Sequence, residues 1–125
     1  MMSEDEKLKI KYAKNAIEDY YFLMRIISSK FLEVVSLEEK YGTKSKAVNE
    51  DIKHLNKEID TYLLKTEPVD VFLNKLTTQD RLIIYNLHQK LCDKESYDDY
   101  CSNLGFSRSG LYRHVNKLIL KHWQF

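Results

Sequence analysis

The chain has few of the residues that interrupt helices, since its 125 residues include three glycines and one proline. Leu, Ile, Lys and Glu are abundant instead, and this composition favours helix over strand. We therefore expect an all-α protein. Hydrophobic residues make up 43% of the chain and charged residues 31%, so a soluble globular domain is expected rather than a disordered segment.

Long apolar runs are absent and cysteines are few. No stretch approaches the roughly 18 apolar residues that span a membrane, and the charged start MMSEDEKLKIK has no apolar core of a signal sequence. Two cysteines, Cys92 and Cys101, are too few for a disulfide framework and suit a reducing compartment. We expect a cytoplasmic protein that is neither secreted nor membrane-bound.

Acidic residues are missing from one end of the chain. Residues 1–66 carry 12 acids and 12 bases and residues 67–99 carry seven and four, whereas residues 100–125 carry no acid and four bases. Local field rather than total charge attracts a polyanion. The C-terminal segment therefore predicts a localised anion-binding face, with a solvated basic helix as the alternative. Its cations are Arg108, Arg113, Lys117 and Lys121.

The first 66 residues predict a long, coiled-coil-like helical hairpin. Apolar residues up to position 41 alternate in spacings of three and four, which indicates a helix with a narrow apolar seam. Ser3 and Glu6 have the spacing of a capping box, and Gly42 is a natural stop. The seam residues are Ile10, Ala13, Ile17, Tyr20, Met24, Ile27, Phe31, Val34 and Tyr41.

A shorter second helix is expected after a polar connector at 42–46. Its apolar pattern is Val48, Ile52, Leu55, Ile59 and Tyr62. Helices of roughly 38 and 18 residues leave about half of the first seam uncovered. That part must pack against the C-terminal domain or another chain, so intramolecular packing and a homodimer both remain open.

The only proline, Pro68, breaks the second pattern, and we place a domain boundary there. Residues 1–66 are assigned to the hairpin, for dimerisation or partner contact, and residues 67–125 to a second helical domain. In that domain we expect a short helix at 69–76, a helix capped by Thr77 or Thr78, a helix at 97–103 capped by Ser96 and a final helix at 108–122.

The last two helices form the pattern of a helix-turn-helix. Gly105 permits the positive φ of the turn, and Ser107 caps the final helix and leaves its N-terminus open to a phosphate. Apolar contacts between the helices are expected from Leu104, Phe106, Leu111 and Leu118. The residues then left on or near the free face are Arg108, Ser109, Tyr112, Arg113, Asn116 and Lys117.

Residues 72–123 resemble region 4 of the bacterial sigma-70 family of transcription initiation factors. The family pattern is L-x-x-R-x-x-x-x-L, then S/T-x-x-E-I-A-x-x-L-G-V-S-R-x-x-V, then a basic helix ending in A-L-x-K-L. The corresponding residues are Leu76, Arg81, Leu87, Ser96, Asp99, Tyr100, Cys101, Leu104, Gly105, Phe106, Ser107, Arg108, Leu111, Leu118, Ile119 and Lys121. The N-terminal half of the chain does not resemble sigma regions 2 or 3. The overall layout, a helical hairpin followed by a region 4-like domain, is similar to ArpU and RinA type phage late-transcription regulators of Gram-positive hosts.

The resemblance implies roles for particular residues. Base contacts would come from Arg108, Ser109 and Arg113, with Tyr112 and Lys117 nearer the backbone. Flanking phosphates would be reached by Arg81 and Tyr97. Two positions depart from the family: Ser109 stands where Glu is common, and Gly110 replaces a usually long polar residue.

From these features we expect a sequence-specific regulator of transcription that binds double-stranded DNA, encoded by a phage or another mobile element. Helix 108–122 would enter the major groove, and the hairpin would form a homodimer or contact RNA polymerase. The alternative is a module that mimics sigma region 4 and binds RNA polymerase or another regulator without contacting DNA. The four histidines lack the paired spacing of a zinc site, and there is no nucleotide loop or nucleophile–base pair, so no metal, cofactor or enzymatic activity is expected.

Overall fold

The computed structural model describes residues 2–42, 44–88 and 97–125, with the side chain of Tyr97 left out. In these ranges five α-helices follow one another: α1 (Glu4–Tyr41), α2 (Lys46–Asn74), α3 (Thr78–His88), α4 (Tyr97–Asn103) and α5 (Arg108–His122). These ranges contain no strand, which confirms the predicted all-α class. The predicted cap at Ser96 lies outside the described residues.

Both ends of α1 are fixed by the residues that the sequence indicated. The backbone N–H of Ser3 donates to Oε1 of Glu6 at 3.0 Å, and the Glu6 N–H donates to Oγ of Ser3 at 3.2 Å, so the capping box is confirmed. Hydrogen bonds to the Glu6 carboxylate, first from the Ser3 backbone N–H and then from the Ser3 side chain, hold the pKa of Glu6 below its ordinary value. At the other end Gly42 has φ 61° and its N–H reaches the Glu38 carbonyl at 2.9 Å.

Helix α2 is longer than predicted because it continues through Pro68. The break at this proline and the separate helix at 69–76 were therefore wrong predictions. A proline inside a helix removes one backbone hydrogen bond and costs about 3 kcal/mol or more. The following turns bury Val69, Phe72 and Leu73, and this packing offsets the local cost.

The chain divides into two compact units. The hairpin unit is Asp19–Glu67, and the composite unit joins Met1–Glu18 to Pro68–Phe125. A division at Pro68 was expected, but the assignment of residues 1–66 to one domain differs from this arrangement. The first turns of α1 group with the C-terminal helices because their apolar seam is buried there.

The hairpin unit is held by a small apolar cluster between α1 and α2. Ile27, Val34 and Ile59 are buried, and Met24, Ile52, Leu55 and Tyr62 pack against them. Lys30 and Glu58 form an ion pair with Nζ and Oε2 2.5 Å apart, which raises the pKa of Lys30 and lowers that of Glu58. Phe31 and Tyr41, predicted in the seam, are exposed, since a single partner helix covers only a narrow stripe.

The composite unit has the larger core, in which two buried aromatic rings pack against each other. Phe72 and Trp123 meet edge to face with ring centroids 5.5 Å apart. Lys9 Nζ donates to the Leu120 carbonyl at 3.4 Å and ties α1 to α5. The fully or nearly fully buried apolar residues are Ile10, Ala13, Ile17, Val69, Phe72, Leu73, Leu76, Ile83, Ile84, Tyr100, Cys101, Leu111, Val115, Ile119 and Trp123.

No helix within the described ranges combines the length and apolar character needed to cross a membrane.

A substitution at Ala13 tests the packing of α1 in the composite unit. Ala13 has no exposed surface, so Ala13→Leu overfills the core and should lower the free energy of unfolding by about 1–3 kcal/mol. Urea denaturation followed through Trp123, the single tryptophan, measures this unit. Ala47→Leu, at an exposed site on α2, is the control and should change stability by at most about 0.5 kcal/mol. Equal effects of the two variants would contradict the packing.

Candidate nucleic-acid interface

The turn between α4 and α5 is a complete Schellman motif. The Phe106 N–H donates to the Cys101 carbonyl at 2.9 Å, and the Gly105 N–H donates to the Ser102 carbonyl at 3.0 Å. Gly105 has φ 81°, a conformation that other residues rarely adopt. The predicted glycine turn is confirmed, and it fixes the point from which α5 departs.

Ser107 caps α5 as predicted. Its Oγ accepts a hydrogen bond from the Gly110 N–H at 3.0 Å, and its backbone is extended, with φ −76° and ψ 164°. A Cβ placed on Gly110 would lie 2.8 Å from this same Oγ. A larger residue at 110 would therefore require the Ser107 hydroxyl to shift from this position.

One row of α5 is buried and sets the orientation of the helix. Leu111, Val115 and Ile119 follow at intervals of four, and each is at most 6% exposed. Leu118, which was predicted to be buried, is only partly covered. The buried row runs straight down one side because residues four apart lie on the same side of a helix.

The opposite row of α5 is exposed and basic. Ser109, Arg113, Lys117 and Lys121 follow at intervals of four, and all are exposed. The first three were predicted site residues, and the structure brings them together on one face. Lys121, counted among the cations of the predicted anion-binding face but not among the predicted site residues, continues this row at a spacing of four from Lys117. The helix carries no carboxylate anywhere along this row.

Arg108 lies at the start of α5 beside an acid from α4. Its Nε is 3.1 Å from Oδ1 of Asp98, and the two side chains are 69% and 73% exposed. Exposed pairs of this kind contribute little to stability and exchange readily with other partners. A competing anion can therefore displace Asp98 from this pair at small energetic cost.

Tyr112 is half exposed and contacts a lysine from the first helix. Lys14 Nζ lies 3.9 Å from the centroid of its ring, within cation–π distance. Lys14 also acts on His88. Burial lowers the pKa of His88, and the positive charge of Lys14 lowers it further, whereas the negative charge of Glu18 raises it. Sequence reasoning missed Lys14 because the pattern placed α1 in a separate domain.

The structure corrects the predicted exposure of Asn116. It was expected on the free face, but it is 6% exposed, and within the described part of the chain its Oδ1 has no hydrogen-bond partner. Its neighbours one turn away on the same side, Tyr112 and Leu120, both contact α1. Asn116 is therefore buried and does not face solvent.

The two predicted flanking residues lie off α5. Arg81, on α3, is exposed, and its Nη2 donates to Oγ1 of Thr78 at 3.3 Å. The predicted cap of that helix is confirmed, since the Asp80 N–H donates to Oγ1 of Thr77 at 3.2 Å. Asp80 also places Oδ1 2.8 Å from Nε2 of His114, which links α3 to α5. The side chain of Tyr97 lies outside the described residues.

No group of three or more His, Cys, Asp or Glu that could hold a metal ion occurs in the described ranges. The chemistry available on the α5 surface is that of arginine, lysine, hydroxyl and phenol groups, which hold phosphates or base edges. No protein-family model matches the chain, and no curated protein or solved structure is significantly similar to it.

The close approach of Ser107 Oγ to Gly110 predicts coupling between the two positions. Gly→Ala inside a helix normally stabilises by roughly 0.5–1 kcal/mol, but Gly110→Ala should give no such gain because the new methyl displaces the cap. In a Ser107→Ala background the same change should recover the gain. Urea unfolding of the four proteins of this double-mutant cycle gives the interaction energy. Additive effects would show that the hydroxyl does not restrict residue 110.

Proposed function

We propose that the chain is a sequence-specific, double-stranded DNA-binding regulator of transcription, with α5 as its recognition helix. The observation that carries the proposal is the exposed row of Ser109, Arg113, Lys117 and Lys121, opposite a fully buried row on the same helix. A helix fixed by one apolar side and free of carboxylates on the other suits a polyanion.

The residue types on this face agree with major-groove binding. The major groove admits an α-helix, and arginine can donate two hydrogen bonds to guanine there. We assign base contacts to Arg108, Ser109 and Arg113 and phosphate contacts to Tyr112 and Lys117. Ser107 would orient the helix N-terminus toward a phosphate, with Arg81 and Tyr97 at the flanks. Asn116 is withdrawn from the contact set because it is buried.

The hairpin unit is assigned to self-association or partner contact. Large apolar side chains are exposed on it, including Phe22, Phe31, Leu32 and Leu64 at 58–71% exposure. These support a homodimer, or contact with RNA polymerase, and a dimer would bind two symmetry-related half-sites. The layout resembling phage late-transcription regulators supports a cytoplasmic protein encoded on a mobile element.

Arginine substitutions test base reading. On a site selected from random duplex DNA, Arg108→Ala or Arg113→Ala should weaken binding by about 1–3 kcal/mol and relax the preference at one base pair. Lys117→Ala should instead weaken binding to all sequences and reduce the salt dependence by about one phosphate contact. Electrophoretic mobility or fluorescence anisotropy titrations measure both. Unchanged affinity and preference in both arginine variants would remove the base-reading assignment.

A substitution of Asp98, the acid paired with Arg108, tests the same arginine with an effect of opposite sign. Asp98→Asn releases Arg108 from its ion pair and removes a negative charge from the surface. It should tighten DNA binding by about two- to fivefold, since exposed ion pairs are worth roughly 0.2–1 kcal/mol. In an Arg108→Ala background the gain should largely disappear. An equal gain in both backgrounds would show that Arg108 is not the group released.

Retention on random duplex DNA separates this function from a pure protein-interaction module. A protein that contacts phosphates elutes at a salt concentration that falls as the contacts are removed. The wild type should be retained at low salt and released steeply as salt rises. Failure to bind duplex DNA at low salt would exclude the proposed function and favour the module that binds RNA polymerase or another regulator.

A further inference from the structure

We propose that Lys7, Lys11 and Lys14 of α1 form a second phosphate-binding surface that extends the DNA interface beyond α5. The proposal rests on the proposed DNA-binding function. It assigns to the first turns of α1 a role in holding one strand of the duplex, next to the groove that α5 would enter. We call these three residues the α1 lysines.

The α1 lysines are continuous with the α5 surface through one shared side chain. Tyr112 lines a hollow with Lys7, Lys11, Lys14 and Asn15. It also lines a second hollow with Ser107, Arg108 and Ser109. Both hollows belong to the composite unit. An anion bound against Tyr112 thus meets cations from α1 on one side and from α5 on the other.

The spacing of the α1 lysines places them on one side of their helix. Intervals of four and three residues bring side chains to the same face. Seven residues of helix rise about 10 Å, while one DNA strand rises about 3.4 Å per nucleotide. The three ammonium groups therefore span the axial rise of about three nucleotide steps and can face more than one phosphate of the strand.

The neighbouring charges distinguish these lysines from the others on α1. Lys7 pairs with Glu4 at 3.6 Å, but both side chains are more than half exposed, and such a pair yields readily to phosphate. Lys9 is different, because its Nζ reaches the Leu120 carbonyl and serves the packing of α5. Lys11 is exposed, and Lys14 lies over the Tyr112 ring.

Phosphate is the ligand that this surface suits best. Lysine ammonium groups act as point charges and lack the planar fork that arginine presents to a base edge. A DNA strand adjacent to a recognition helix presents a row of negatively charged phosphates to these lysines. A free phosphate would occupy only one position. The α1 lysines are expected to contribute affinity and salt dependence, but no sequence preference.

The test compares two double variants that remove the same charge. Lys11→Gln with Lys14→Gln should reduce the slope of log affinity against log salt by about two contacts, and lower affinity roughly tenfold per contact near 0.1 M salt. Lys53→Gln with Lys57→Gln, on α2 in the hairpin unit, is the matched control and should leave the slope unchanged. Titrations use the full chain and its selected duplex.

Two further variants guard against loss of structure. Lys11→Gln alone should remove about one contact from the slope, and Lys14→Arg, which keeps the charge and the ring contact, should bind as the wild type does. Trp123 fluorescence in urea verifies that each composite unit is folded. The same salt slope in the α1 double variant and the wild type would overturn this proposal.

The outcomes also separate this inference from the proposed function. Loss of affinity in Arg108→Ala and Arg113→Ala with an unchanged slope in the α1 double variant would retain α5 as a DNA-binding helix and reject the α1 surface. No duplex binding by the wild type would reject both. Equal losses in the α1 double variant and the α2 control would indicate a general charge effect and reject a local site.

Discussion

Burial of Leu111, Val115 and Ile119 on one side of α5 is the constraint on which the rest of the composite unit depends. A helix of 15 residues has little stability alone, so its direction is set by the surface against which its apolar row packs. Once that row is fixed, the positions offset by two residues, about 200° around the helix axis, must face outward. The basic row of α5 is thus a geometric result of core packing, and its chemistry lies in the residues chosen for those positions.

The surface that results combines exposed cations with few competing acids. Asp98, on the preceding helix, holds Arg108 through an exposed ion pair near the start of α5. An arrangement of this type keeps the guanidinium near its position in the absence of a ligand, at small energetic cost when a stronger anion arrives. Lys14 and Tyr112 provide a similar contact between α1 and α5. Both contacts organise side chains without burying their charges.

Local chemistry was predictable from the sequence, and tertiary packing was not. The capping box at Ser3, the turn at Gly105 and the cap at Ser107 each depend on residues within about five positions, and all were found. Pro68 was misjudged because the packing of later residues outweighed its local cost. The first turns of α1 were assigned to the hairpin, whereas they group with the C-terminal helices, because their seam has the same pattern whichever partner covers it.

The candidate site shows the same limit. The row of Ser109, Arg113 and Lys117 followed from helical spacing and the absence of acids. Asn116 was placed on the free face because its polarity suggests exposure, and a polar residue covered by a distant helix leaves no signal in a single sequence. The contribution of Lys14 was missed for the same reason. What remains a proposal, from base contacts to RNA polymerase, depends on partners rather than on the fold of the chain.

The buried amide of Asn116 has a consequence for local stability. A buried polar atom without a hydrogen-bond partner destabilises the closed state by about 1–3 kcal/mol. Water supplies the missing hydrogen bond when the contact opens. Because the residues one turn to either side contact α1, separating α1 from α5 exposes this amide. The first turns of α1 are therefore held less firmly than their buried Ile10, Ala13 and Ile17 alone would suggest, and sub-global opening of the composite unit should begin there.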